Sequence, residues 1–330
     1  MNIARRKLLV ALAGAAGWPL TARAQQTERV RRIGVLMNLT SGDPESVARI
    51  AAFAQGLGGL GWIIGRNVQV DIRWAVADPE LFRQYAKELV ALAPDVIVAQ
   101  GGNAVRPLMQ ATRTVPIVFA NATDPVGTGL VESLARPGGN VTGFMTIELS
   151  MGVKWLELLK QIAPSVKQVA VLRDPIQGNS LSLFAAIQAV APLLGVDVSP
   201  VNVRDDDEIE RGINGFVRGS NDGLIVTLSA PAQIHRDHII ALAARHRLPA
   251  VYPLRFFVTS DGLISYGPNQ TDQYRQAAGY VDRILRGEKP GNLPVQAPVK
   301  YETVLNMKTA KTLGLDIPPT VYARADEVIE

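Results

Sequence analysis

Cysteine is absent from all 330 residues. That absence excludes disulfide staples, thiolate metal centres and a lipid-modified cysteine anchor. Long apolar runs are missing as well, since the stretch from Leu8 to Leu20 falls short of the ~20 residues that cross a bilayer. Neither a G-x-x-x-x-G-K-[ST] phosphate loop nor a G-x-S-x-G nucleophile elbow occurs. An excess of one charge sign is present only superficially. The formal charge is +4, but Arg5, Arg6, Lys7 and Arg23 precede Gln25 with no acid among them. Without those four of the 34 basic residues, 30 face 30 acidic ones, and a polyanionic partner such as nucleic acid or an acidic membrane loses its support. No helical DNA-binding segment precedes Arg32, and no low-complexity linker separates independent domains.

The first 24 residues have the three parts of an export signal: basic Arg5-Arg6-Lys7, apolar Leu8 to Leu20, and Ala22-Arg23-Ala24 as a small-x-small processing site. Cleavage after Ala24 is expected, giving a soluble periplasmic chain that starts at Gln25. Arg5-Arg6 matches a twin-arginine signal only loosely, so both export routes stay open. At 47% hydrophobic content the chain can bury a substantial core and divide into two domains.

Beyond Arg31, strand-like and helix-like stretches alternate, as in a parallel sheet flanked by helices. Strands are predicted at Ile33–Met37, Val68–Arg73, Asp95–Ala99 and Val115–Ala120, and helices at Pro44–Leu60, Pro79–Leu92 and Asn103–Ala111. After the fourth strand, Asp124 or Thr123 is placed to cap a helix opened by Pro125, which Pro137-Gly138-Gly139-Asn140 would end before Val141-Thr142-Gly143. The order then restarts. Val169–Leu172, Leu194–Val198, Asp222–Val226 and Leu248–Tyr252 repeat the first four strands at an offset of about 130 residues, a period that points to two similar lobes. Met151–Ile162 reads as the helix after a first crossing between them. Gly262–Tyr266 and Tyr301–Asn306 read as strands, Gln270–Leu285 and Lys308–Leu313 as helices, and Pro290–Pro298 as a connector.

Several runs carry a family likeness. Thr123-Asp124-Pro125-Val126-Gly127 and Arg136-Pro137-Gly138-Gly139-Asn140-Val141-Thr142-Gly143, together with Gly34-Val35-Leu36, Pro94 to Val98, Tyr266-Gly267, Gly287 to Pro290 and Asn306 to Ala310, resemble the substrate-binding proteins of ABC transporters. The TrpX-like tryptophan/phenylalanine-binding proteins belong to that family, and the likeness covers nearly the whole mature chain. It implies a type I periplasmic binding fold: α/β, with two doubly wound parallel-sheet lobes joined by a multi-strand hinge. Residues 30–144 plus 261–288 would form lobe one, and 145–260 plus 289–330 lobe two. It also implies an inner-membrane ABC permease as partner and makes amino acids or related carboxylates, aromatic ones included, the leading ligand class.

In open α/β sheets, ligands sit outside the carboxyl ends of the strands. In lobe one the candidates there are Asn38, Thr40, Ser41, Gly102, Asn103, Asn121, Thr123 and Asp124. In lobe two they are Arg173, Asp174, Asn179, Ser180, Thr227, Ser229 and Tyr252. Any one of these can equally be a helix cap, but their shared placement around one cleft favours a ligand. A carboxylate would meet the bare N–H groups near Gly102-Asn103 or Thr123, and Asp124 or Asp174 the ammonium. Other signals have plainer readings. Gly56 to Gly61 matches a dinucleotide fingerprint but closes a helix before a strand, the reverse of the required context. His235 and His238 lack further ligands nearby, and Asp205 to Glu208 lacks calcium-loop spacing and suits a helix start. No metal, cofactor or catalytic set is expected. The expected function is capture of a small molecule by a monomer and its presentation to the permease. A sensor module for a membrane receptor, or a periplasmic enzyme using Ser229, Asp124 or Asp174, is the alternative.

Overall fold

The computed structural model describes residues 29–146, 148–176, 178–219 and 221–330, so the export signal and its cleavage site lie outside the described residues. Lobe one begins β1 (Arg31–Met37), α1 (Pro44–Gly59), β2 (Val68–Trp74), α2 (Pro79–Ala91), β3 (Val96–Gln100), α3 (Gly101–Ala111), β4 (Ile117–Ala122) and β5 (Val141–Met145). Strand and helix alternate because the apolar period switches between buried runs such as Val96-Ile97-Val98-Ala99 and one-sided stripes capped by Asp43 and Asp78, each with proline at the helix start. The sheet order is β2-β1-β3-β4-β5, parallel throughout.

The chain continues through α4 (Met151–Ile162), β6 (Gln168–Arg173), α5 (Gly178–Val190), β7 (Asp197–Asn202), α6 (Asp206–Phe216), β8 (Asp222–Val226), α7 (Ala230–Ile234), α8 (Arg236–Arg245), β9 (Ala250–Tyr252), α9 (Arg255–Thr259) and β10 (Ile264–Pro268). After these come α10 (Gln270–Leu285), β11 (Tyr301–Asn306), α11 (Met307–Leu313), α12 (Pro319–Tyr322) and β12 (Glu327–Ile329). The second sheet runs β12-β11-β10-β9-β8-β6-β7. Within it, β7-β6-β8-β9 has the same order as β2-β1-β3-β4, so the internal repeat is visible as topology. Only β11 runs antiparallel to its neighbour β10.

Sheet one is covered on both faces. Phe53, Leu57, Tyr274 and Val281 of α1 and α10 pack on Ile33, Val35 and Val98, while Leu89 and Leu108 of α2 and α3 pack with Leu36, Ile97 and Phe119 on the other side. Lobe two has one continuous core around Trp155, whose indole N–H donates to the Tyr266 carbonyl at 2.8 Å and so satisfies the only polar atom of a fully buried side chain.

Three expectations change. Residues 261–288 do not return to lobe one together: β10 pairs with β9 and β11 in the second sheet, and only α10 packs on the first lobe. Residues 289–330 are not all in lobe two, because the segment around Leu293 to Gln296 runs beside β5. There Thr142 Oγ1 donates to the Leu293 carbonyl (2.5 Å), Gln296 N to Gly143 O (3.0 Å) and Met145 N to Gln296 O (2.8 Å). Among the described residues the chain therefore passes between the lobes three times, after β5, between β10 and α10, and before β11. Finally, no helix follows Pro125. A single turn forms, with Thr128 N–H donating to Asp124 O, and Gly129 at φ +71° reverses the chain so that Leu130 and Val131 tuck into the core. Burial of those two side chains wins over helix continuation through two glycines, each a poor helix former.

β5 carries the tightest backbone approach. Gly143 sits at φ +152°, and a Cβ there would lie 2.0 Å from the Phe119 carbonyl oxygen on β4. Gly143→Ala must shift a strand in the middle of a packed lobe and is expected to destabilise the protein by about 3 kcal/mol, measured as a lowered midpoint in urea at unchanged slope.

Candidate functional site

The carboxyl ends of the lobe-one strands form a row in sheet order: Asn38 after β1, Gln100 ending β3, Asn121 near the end of β4 and Thr146 after β5. All four are buried. Asn38 N–H donates to Gln100 Oε1 at 3.3 Å, tying two of them together. At Asn121 the β4–β5 register slips, and the residue takes φ +63°, a left-handed conformation that asparagine tolerates better than most. The bulge takes Asn121 out of the ladder. The residue is 9% exposed, and neither its buried amide nitrogen nor its oxygen has a hydrogen-bond partner.

Beside Asn121 begins α3, whose N-cap Gln100 makes no side-chain capping bond. Gly101 enters at φ +71°, and a Cβ there would lie 3.6 Å from the Asn121 carbonyl oxygen. The first-turn N–H groups are left without a side-chain cap, and with the helix dipole behind them they favour an anion. Across the row, α1 and α10 bring unusual residues to buried positions. The inward stripe of α1 reads Ser46, Arg49, Phe53, Leu57, and that of α10 begins Gln270, Gln273, Tyr274. Gln270 Nε2 donates to Thr146 Oγ1 (3.3 Å) and Gln273 Nε2 to the Met145 carbonyl. Burial pushes the Tyr274 phenol well above its ordinary pKa, with the Arg49 cation pulling weakly the other way. Asn38 Oδ1, Ser46 Oγ, Arg49 Nε and Nη1, Gln270 Oε1 and Gln273 Oε1 are buried without a partner. Unpaired buried polar atoms cost roughly 1–3 kcal/mol each, so this concentration marks a place where a polar partner belongs.

Lobe two meets this region through α7 and α8. Arg49 Nη2 donates to Gln233 Oε1 at 3.2 Å, and Arg236 Nη1 donates to Asp43 Oδ2 at 2.7 Å. Asp43 uses its other oxygen to cap α1, accepting from Glu45 N at 2.8 Å.

The sequence-derived residues divide accordingly. Asn38, Gly102, Asn103, Asn121 and Thr123 gather at the strand ends, whereas Thr40 and Ser41 are exposed beyond β1. Asp124 is engaged as a turn cap, its Oδ1 accepting from Gly127 N at 2.9 Å. In lobe two, Ser180 Oγ accepts from Asp174 N (2.9 Å) and lies 3.0 Å from Thr227 Oγ1, which donates to the Leu172 carbonyl at 2.7 Å, so these residues brace β6 against β8. Ser229 caps α7, and Arg173 lies over the Phe184 ring. Tyr252 is stacked on Phe257 in the core and is 1% exposed, which removes it from the set of cleft residues. The Asn179 side chain lies outside the described residues. His235 falls at the break between α7 and α8, 2.7 Å from Asp206, and so shares no continuous helical face with His238. Asp205 caps α6, and Gly58 and Gly59 close α1.

Sequence reasoning missed Ser46, Arg49, Gln100, Gln233, Gln270 and Gln273. For those on α1 and α10 a signal existed, namely a polar or charged side chain on the apolar stripe of an otherwise regular helix. Gln100 and Gln233 had none. The lobe-two hydroxyl network gives a test of a purely structural role: Thr227→Val keeps the shape but leaves Ser180 without its neighbour, and is expected to lower stability by about 1–3 kcal/mol while calorimetric ligand affinity stays within twofold.

Residues 33–329 match the family model described as ABC transporter substrate binding protein. Among curated relatives, the tyrosine-binding protein of Clostridioides difficile (strain R20291) is 26% identical over 281 residues, covering 83% of this chain and 80% of that one. The structure of an ABC domain in complex with L-Trp from Streptococcus pneumoniae is 26% identical, with a TM-score of 0.83 over 91% of this chain and 99% of the other. The ligand-free, open structure of CD0873, a substrate-binding protein with adhesive properties from Clostridium difficile, is 25% identical over 91% and 99% of the two chains, with a TM-score of 0.68. With the family model spanning both lobes and the two-sheet architecture shared with these structures, the chain belongs to the ABC transporter substrate-binding proteins and has their type I periplasmic binding fold.

Proposed function

We propose that the chain is exported, captures an amino acid or related small carboxylate between its lobes as a monomer, closes about its three crossings and presents the molecule unchanged to an ABC permease. The observation that carries this reading is the uncapped start of α3 beside the partnerless Asn121 amide. A carboxylate leaving water needs several donors at once, and hydrogen bonds to a charged group contribute roughly 1.5–3 kcal/mol each. First-turn N–H groups and Asn121 Nδ2 supply such a set, while Asn38 Oδ1, Gln270 Oε1 and Gln273 Oε1 are acceptors suited to an ammonium. With Asp124 and Asp174 each accepting from a nearby backbone N–H, these amides take over the role that sequence reasoning assigns to the carboxylate of Asp124 or Asp174.

Closure is supported by the two interlobe bonds from Arg49 and Arg236 and by the greater likeness to a ligand-bound relative than to an open one at nearly equal identity. Export rests on the signal anatomy of residues 1–24 and a permease partner on family membership.

Asn121→Asp tests the site. The substitution keeps size and tolerance of the left-handed backbone but sets a negative charge at the helix start, where it suits the dipole and repels a carboxylate. The melting temperature without ligand is expected to hold or rise. Affinity for whichever L-amino acid raises the wild-type melting temperature most should fall about a hundredfold, ~2.7 kcal/mol, and the carboxamide of that amino acid should bind poorly to the wild type. Scattering should show the wild type compacting with ligand. Wild-type affinity in the variant would move the carboxylate elsewhere.

A further inference from the structure

Arg49 is out of place for a helix residue facing a core. It is fully buried, between Ser46 and Phe53 on the inward stripe of α1, and brings a guanidinium with five N–H donors to that position. Nη2 donates to Gln233 Oε1 at 3.2 Å and stands 3.5 Å from Glu45 Oε2, which compensates part of the charge. Nε and Nη1 have no acceptor. A residue serving only to join the lobes through Gln233 would be served as well by a neutral amide, without a buried cation.

Its position relative to α3 gives the two free donors a direction. α1 and α10 cover one face of the first sheet, α2 and α3 the other. The start of α3 and Arg49 therefore flank the row of strand ends from opposite sides. An amino acid whose carboxylate meets α3 and whose side chain crosses that row ends against Arg49, and on that side it also finds the Tyr274 hydroxyl, held to Met37 Sδ at 3.5 Å, and Gln273.

We infer that Arg49 reads an oxygen acceptor on the side chain of the bound amino acid, so that the substrate class is amino acids with acidic, amide or phenolic side chains rather than hydrocarbon or indole ones. The inference rests on the amino-acid reading above and narrows it. Hydrocarbon side chains leave Nε and Nη1 buried and unpaired, and an indole N–H adds a donor where an acceptor is needed. The same guanidinium reports to the second lobe: an acceptor held at Nε or Nη1 fixes the plane that keeps Nη2 on Gln233. One turn further on, Arg236 donates both to the Gln233 carbonyl (3.1 Å) and to Asp43. Side-chain recognition and closure thus share one group.

Calorimetry with L-glutamate, L-glutamine and L-tyrosine against L-leucine, L-phenylalanine and L-tryptophan tests this. At least one of the first three is expected to bind ten or more times tighter than all of the second three. Arg49→Met also removes the bond to Gln233, so it should weaken all binders, but the acceptor-bearing molecule most, bringing that ratio to within threefold, and Arg49→Lys should restore part of it. Arg236→Met, which breaks the neighbouring link, should weaken all binders by a common factor and leave the ratio intact. Phenylalanine, leucine or tryptophan binding as tightly as the best acceptor-bearing molecule would overturn the inference while leaving the amino-acid reading in place, as would a preference that survives Arg49→Met. Binding of none of the six overturns the amino-acid reading and this inference with it. The wild-type ratio decides the matter even if Arg49→Met does not fold.

Discussion

The close approach of α10 to α1 is the contact on which the rest of the molecule depends. At Gly56 a Cβ would stand 2.7 Å from the Ala278 Cβ and 2.8 Å from the Arg275 carbonyl, so the helices meet almost backbone to backbone. Ala277, Ala278 and Val281 on one side and Phe53 and Leu57 on the other complete a dry seam. That seam draws a helix from late in the chain back over the first sheet immediately after β10 has joined the second. With it come Gln270 and Gln273, set against the end of β5, and the enclosure that buries Arg49.

The energetics of the region between the lobes follow from what that enclosure contains. Apolar seams bind without instruction, but a set of buried amides and a guanidinium with missing partners holds together only when something supplies acceptors and donors in the right places. The Asp43–Arg236 pair, with both side chains largely shielded, offsets part of the deficit and fixes the register of the two lobes. Desolvation makes such a pair a weak source of net stability and a good source of geometric selectivity. On the proposed reading, a region poised in this way selects a guest by its chemistry rather than by size alone.

Most of the scaffold was legible in the sequence because periodicity is a local property that burial enforces everywhere. The apolar runs at Ile33–Met37 and Asp222–Val226, and the repeated order of four strands, needed nothing beyond neighbours in the chain. The segment after Pro125 was not legible for the opposite reason: Leu130 and Val131 are held by side chains distant in sequence, and only their burial shows that one turn is preferable to a helix. Tyr252 reads at sequence level as a cleft aromatic beside Pro253, yet stacking on Phe257 places it in the core. At the candidate site, Asn121 and the glycines of α3 announced themselves as polar and flexible residues at a strand end. Arg49 announced itself only as a charge on the wrong side of a helix, a cue that acquires meaning once α10 is known to cover it.

The strap formed by Leu293 to Gln296 has a consequence for life in a crowded compartment. A parallel sheet has two free margins, and β5 would otherwise offer its unpaired N–H and C=O groups to any extended chain. The strap occupies that margin with backbone bonds to Gly143 and Met145, and Pro294 within it presents no N–H outward. In the second sheet the outer strand β7 carries Pro200, which blunts its margin in the same way. Because the strap belongs to the first lobe and lies just before the last crossing, it stays seated however the lobes rotate. Rotation of one lobe against the other would therefore leave the β5 margin closed to a second copy.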